Sequence, residues 1–210
     1  MASEESDRIE YFTEEGGRST SQKFSPYNAM ALGDYYVNQA LGIELKKPEG
    51  WHFLSANEWI RLQSIQAMHM PDTESYIELL QLGYRPLLVV STQPDYVPTL
   101  EPAVGFYVSP VDPNEPFGLV EQYQATAQVL QGYLDDFVLD ECGACEFLGQ
   151  AATHMKYRYT MWIDSTQHRG EGRSIAMRTP RLEWNIDFGW AEGEKSEAEF
   201  AVIEKSLRFR

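Results

Sequence analysis

At 210 residues, with 43% hydrophobic and 13% aromatic side chains, the chain is long enough to bury one substantial core and too apolar for a disordered polymer. Lys and Arg number 17 against 32 Asp and Glu, a formal charge of −15 that repels nucleic acid and anionic membranes over most of the surface. No apolar run approaches the roughly 18 residues that span a bilayer. The Glu-rich residues 1–22 reverse a signal peptide's basic start and apolar centre, so a cytoplasmic protein is expected, the alternative being export with the signal removed.

Residues 1–37 carry no sustained period and predict a flexible acidic arm to about residue 22, then irregular structure containing Phe24, Tyr27, Tyr35 and Tyr36. The folded domain is expected over 38–210. Residues 41–45 and 51–54 predict strands around the turn Pro48-Glu49-Gly50. Ser55-Ala56-Asn57-Glu58 has the form of a capping box, followed on helical spacing by Trp59, Leu62 and Ile65. A second helix is expected from Thr73, with Tyr76, Leu79 and Leu80 inward, to Gly83. Residues 87–91 read as a buried strand and 103–108 as an alternating one with Val104, Phe106 and Val108 on one face. Pro94, Pro98 and Pro102 between them mark a loop, because proline lacks a ladder donor.

After a Pro110–Pro116 turn, the longest helix is expected over 117–134 on the stripe Leu119, Tyr123, Ala127, Leu130 and Leu134. Residues 137–141 return as a strand. Gln150–Ile163 alternates cleanly, Met155, Tyr157, Tyr159, Met161 and Ile163 against His154, Lys156, Arg158 and Thr160. Residues 165–172 read as a turn and 173–190 as one strand bent at Pro180, with Leu182, Trp184, Ile186 and Phe188 opposite Arg181, Glu183, Asn185 and Asp187. Ser196-Glu197-Ala198-Glu199 opens a last helix that buries Phe200, Ile203 and Leu207 and runs into a final extended pair. The order implies an α+β fold, one antiparallel sheet of about seven strands sandwiched between helices. Leu45, Trp51, Leu88, Phe106, Tyr123, Tyr157, Trp184, Ile203 and Leu207 are the expected core.

Four stretches resemble the PsbP-like superfamily: Leu41-Gly42-Ile43 leading to Pro48-Glu49-Gly50-Trp51, Pro86-Leu87-Leu88-Val89-Val90, Leu148-Gly149-Gln150-Ala151-Ala152, and Ile203 to Phe209. That superfamily includes the extrinsic subunit of photosystem II, a Ran-binding import factor and bacterial DcrB-type proteins. The resemblance covers about residues 38–210, by element order more than by identity. It implies an antiparallel sheet between helices and members that act mostly by binding other proteins, with no shared catalytic constellation.

Cys142-Gly143-Ala144-Cys145 invites redox or metal chemistry, but it is expected on a turn beside Asp140, Glu141 and Glu146, whose carboxylates raise thiol pKa values. His52, His69, His154 and His168 lack metal-ligand spacing, and no cofactor or metal is expected. No serine sits in a Gly-x-Ser-x-Gly elbow. If Gln150–Ile163 and 173–190 pair, His154, Lys156 and Arg158 are expected to share an outward sheet face with Glu183 and Asp187. Those five residues, with Tyr35 and Tyr36, form the candidate protein-binding face; a solvated charge ladder is the plainer reading of the strand charges. The expected function is a non-catalytic protein-interaction or accessory module whose partner is another protein. The alternatives are a thiol redox protein using Cys142 and Cys145, or a carrier of a small ligand or metal.

Overall fold

Pro48 and Gly50 turn the chain sharply, with Gly50 at φ +78°, a left-handed conformation that favours glycine. In the computed structural model, which describes residues 8–12, 18–24, 29–69, 74, 77, 85–111, 118–193 and 197–209, this turn separates two antiparallel sheets. Before it come β1 (Arg8–Phe12), β2 (Arg18–Phe24), β3 (Ala29–Leu32), β4 (Tyr35–Asn38) and β5 (Ile43–Lys46), and the chain's last strand, β13 (Arg208–Phe209), completes their sheet beside β5. After it come β6 (His52–Leu54), β7 (Leu88–Ser91), β8 (Ala103–Pro110), β9 (Asp135–Phe147), β10 (Gln150–Ile163), β11 (Thr166–Arg178) and β12 (Leu182–Ala191). These form a seven-stranded sheet in the order β6-β7-β8-β12-β11-β10-β9. The expected single sheet is thus joined by a second, because β5 takes β13 along its edge and the turn carries β6 away.

The α+β class is as read from the sequence. Helices α1 (Ala56–Met68) and α2 (Leu119–Tyr133) cover one face of the larger sheet, and α3 (Glu197–Ser206) packs on the other. The expected capping box starts α1: the Glu58 N–H donates to Ser55 Oγ at 3.3 Å, and the Ser55 N–H donates to Glu58 Oε2 at 2.8 Å. Tyr123 and Ala127 bury the stripe of α2 against Met155 and Ala176. On the α3 face, Leu45, Trp51, Leu88, Phe106, Trp184, Ile203 and Leu207 share the main core, while Tyr157, on the opposite face, is half-buried. The helix expected over 73–83 and the capping box at Ser196 fall largely outside the described residues.

Further expectations change. Residues 8–12 and 18–24, expected in a flexible arm, and 29–32 and 35–38, read as irregular, are strands held by backbone pairing rather than by a hydrophobic period, and Tyr36 lies in the main core. The turn expected over 165–172 is only Asp164-Ser165, both at positive φ (47° and 62°), as a two-residue hairpin turn between right-twisted strands requires. The strand expected over 173–190 is two antiparallel strands, β11 and β12. Thr179 closes their turn: its N–H donates to the Leu182 carbonyl at 2.8 Å, and its Oγ1 accepts the Leu182 N–H at 3.0 Å.

Candidate functional site

His154, Lys156 and Arg158 stand at alternate positions of β10 and share its α3-side face. Their partners come from β9. Lys156 Nζ lies 3.0 Å from Glu141 Oε2, His154 Nε2 lies 3.2 Å from the same oxygen, and Arg158 grips Asp140 through Nε and Nη2 at 2.8 and 2.7 Å. Consecutive residues of a regular strand point to opposite faces, yet Asp140 and Glu141 both reach this one. The register explains it: Lys156 pairs with Glu141 but Tyr157 with Leu139, so Asp140 is the extra residue of a β-bulge. The hydrogen bonds from Arg158 and from Lys156 hold the Asp140 and Glu141 carboxyls below their ordinary range.

Glu183 and Asp187 are not on this face. Because 173–190 folds back at 179–181, β12 joins the sheet one strand further on, with Ser174 opposite Asp187, and that row faces α1 and α2. Glu183 pairs with Arg178 at 2.7 Å, and burial pushes the Asp187 carboxyl up to about 6 despite a hydrogen bond with Ser174. Tyr36 is fully buried, its hydroxyl pushed up to about 12 by burial, so it offers no docking group; Tyr35 is exposed under the Lys46 ammonium, 5.6 Å from the ring centre.

Cys142 and Cys145 lie inside β9 rather than on a turn. At a rise of about 3.4 Å per residue, positions three apart on a strand are roughly 10 Å apart and on opposite faces. Cys142 packs with Tyr123 and Met155 beneath α2, and Cys145 packs toward the main core. Burial raises both thiol pKa values, and the spacing exceeds the ~7 Å limit between Cα atoms of a bridge.

Beside α3, His154 and Lys156 of β10 open onto a groove of about 600 Å³. Its floor is aromatic: Phe188 and Trp190 each lie with ring centres 5.2 Å from Phe200. Its rim is charged. Arg173 sits 5.5 Å over the Phe188 ring and 2.7 Å from Glu204 of α3, and the Trp190 indole N–H donates to Glu171 at 2.7 Å. Arg173, Glu171, Trp190 and Glu204 are absent from the candidate face read from the sequence. The signal for Glu171 and Arg173 was an alternation of its own, Glu171, Arg173 and Ile175 on one side of β11, hidden by taking Gly170 and Gly172 for a turn.

No protein-family model matches the sequence, and no curated protein matches it. Among solved structures, the chain is similar to cyanobacterial PsbP (CyanoP) from Synechocystis sp. PCC 6803, with a TM-score of 0.51, 11% identity, and coverage of 86% of this chain and 95% of that one. It is also similar to LpqN, involved in cell envelope biogenesis of Mycobacterium tuberculosis, with a TM-score of 0.47, 13% identity, and coverage of 79% and 81%. The antiparallel sheet, the helices on its two faces and the likeness to cyanobacterial PsbP over most of both chains agree with the motifs at residues 41–51 and 203–209: the chain has the PsbP-like fold.

Proposed function

We propose that the chain is a non-catalytic interaction module that docks a polypeptide in the groove beside α3. The supporting observation is the row Glu141, Lys156, Arg173, Phe188, which crosses four neighbouring strands and sets two cations directly opposite each other. Like charges opposed across strands are destabilising, and here Glu141 and Glu204 each compensate one of the two cations. The row thus sets ion-paired cations beside aromatic rings, as a contact surface needs. An apolar floor with a charged, solvated rim is the usual anatomy of a protein contact, and the PsbP-like fold accords with an accessory role. The occupant is a segment with an apolar anchor for Phe188, Trp190 and Phe200 and charged neighbours for the rim.

The test reverses Lys156 and Arg158 to Glu together. Partner capture is expected to fall strongly while the melting temperature stays within a few degrees, since exposed ion pairs contribute at most roughly 1 kcal/mol each. Capture undiminished in a folded double variant would remove the groove as the docking site.

A further inference from the structure

The opposite face of the seven-stranded sheet carries a half-open pocket of about 260 Å³ beneath α1 and the loop 92–102. That is just below the ~300 Å³ at which ligand pockets usually begin, so any occupant is small. Its shape comes from glycine. On the strands β8 and β11, Gly105, Gly170 and Gly172 leave this face without side chains, and tyrosine rings lie across the gaps. A Cβ on Gly170 would meet Tyr159 Cζ at 2.5 Å, one on Gly172 would meet Tyr157 Cε2 at 2.5 Å, and one on Gly105 would meet Tyr107 Cε2 at 2.7 Å. Over Gly189 of β12 nothing lies within 4 Å, and Gly189 lines the cavity. The floor is therefore made of tyrosine rings lying against the sheet, and Trp59 of α1 and Tyr96 of the loop supply further walls.

The charge of the lining has one sign. Asp187, Asp95 and Glu101 contribute carboxylates, and among the described residues no Lys, Arg or His lines the cavity. Glu101 is held by hydroxyls, accepting from Thr99 at 2.7 Å and from Thr92 at 3.1 Å, and Asp95 makes a long, exposed contact of 3.8 Å with Arg61. Asp187 has a hydrogen bond with Ser174 and no basic partner among the described residues. Tyr96 Oη is buried without a hydrogen-bond partner among the described residues.

We infer that this cavity is a binding site for a small organic ammonium ion, held over the tyrosine and tryptophan rings and paired with Asp187. An anion is repelled by all three carboxylates. A neutral apolar molecule satisfies the rings but leaves the half-buried Asp187 charge without a partner, which is unfavourable. A cation satisfies both, because aromatic faces attract positive charge and Asp187 offers the opposite charge. The chain's charge of −15 concentrates cations at its surface. Burial pushes the Asp187 carboxyl up to about 6, and an ammonium ion beside it would favour the ionised form.

The test compares choline with 3,3-dimethylbutan-1-ol, its neutral carbon isostere, by calorimetric titration of the full chain at low salt and pH 7.5. The ammonium is expected to bind at least ~10-fold more tightly than the alcohol, a difference of about 1.4 kcal/mol. Asp187→Asn, checked by circular dichroism for an intact fold, is expected to erase that preference. Should Asp187→Asn fail to fold, Trp59→Leu on the wall carries the test, with an expected loss of roughly 5-fold or more in choline affinity. Equal affinities for the two isosteres, no choline binding, or a preference that persists in a folded Asp187→Asn chain would overturn the assignment. Binding of choline that requires Lys156 and Arg158 rather than Asp187 would do the same.

Discussion

Asp187 and Asp140 show how one residue type takes opposite roles on the two faces of one sheet. Asp140 is exposed enough to be solvated and is gripped by Arg158, so its charge is favoured. Asp187 sits among Ser174, Tyr157 and Tyr123, and burial opposes its charge and pushes it to about 6, above an ordinary value of 3.8. The sign for stability follows. A carboxyl whose folded value is raised favours the fold below the unfolded value, and that contribution is lost as pH rises through about 6. At pH 8 the fold is less stable, by on the order of 3 kcal/mol, than it is below the unfolded value. Asp187→Asn is therefore expected to gain melting temperature over the parent at pH 8 and little or nothing at pH 4, with the gap opening between those values. Chemical denaturation of both chains across that range checks it. An equal gap at both ends would mean that Asp187 is not buried as a charge. Choline in the cavity would narrow the gap at pH 8, because it supplies the missing partner.

Strands and helices were legible where one local rule decides them. The capping box at Ser55 and Glu58, the stripe through Tyr123 and Ala127, and the alternation of Gln150–Ile163 all follow from periodicity and caps, and all recur in the structure. Elements failed where a residue's reason lies on another strand. Gly170 and Gly172 look like turn punctuation, but their lack of a Cβ serves Tyr159 and Tyr157 opposite them on β10. Losing β11 to a supposed turn then put Glu183 and Asp187 on the wrong face, since a strand's side chains alternate and its parity depends on which neighbour it joins. The Cys142 to Cys145 segment was likewise read as a turn, although β9 runs on through it to Phe147. The glycine reading makes an element-level prediction. Gly172→Ala should destabilise by roughly 1–3 kcal/mol through overpacking against the Tyr157 ring, and the cost should shrink in a Tyr157→Leu background. At Gly143, where nothing lies within 4 Å of an added Cβ, the same substitution should be nearly neutral. Equal costs at the two glycines, measured by urea denaturation, would argue against a ring lying on the strand.

The two sheets meet through the end of the chain. Ser206, the last residue of α3, stands 160 positions from Lys46 of β5, yet its Oγ accepts the Lys46 N–H at 2.8 Å. Its hydroxyl hydrogen is shared between the Lys46 carbonyl at 3.1 Å and the Ile203 carbonyl at 2.9 Å. Immediately after it Leu207 is buried in the main core. Arg208 and Phe209 then pair with Glu44 and Ile43 of the smaller sheet, while the Phe209 ring packs edge-on against Trp184 of the larger one, centres 5.0 Å apart. The motifs at both ends of the domain were visible in the sequence; their contact was not, because no local pattern links residue 46 to residue 206. Ser206→Ala removes the hydroxyl and leaves the Lys46 N–H without that acceptor, at an expected cost of roughly 1–3 kcal/mol. Leu207→Ala should cost roughly 2–5 kcal/mol by opening a cavity in the shared core. The two effects differ in where they act. In Ser206→Ala, hydrogen exchange should rise first at the Lys46 amide and along β5, whereas Leu207→Ala should speed exchange across both sheets together. If Ser206→Ala leaves the Lys46 amide as protected as before, the serine is not the tie between helix and strand, and the burden of joining the sheets falls on Leu207 and Phe209.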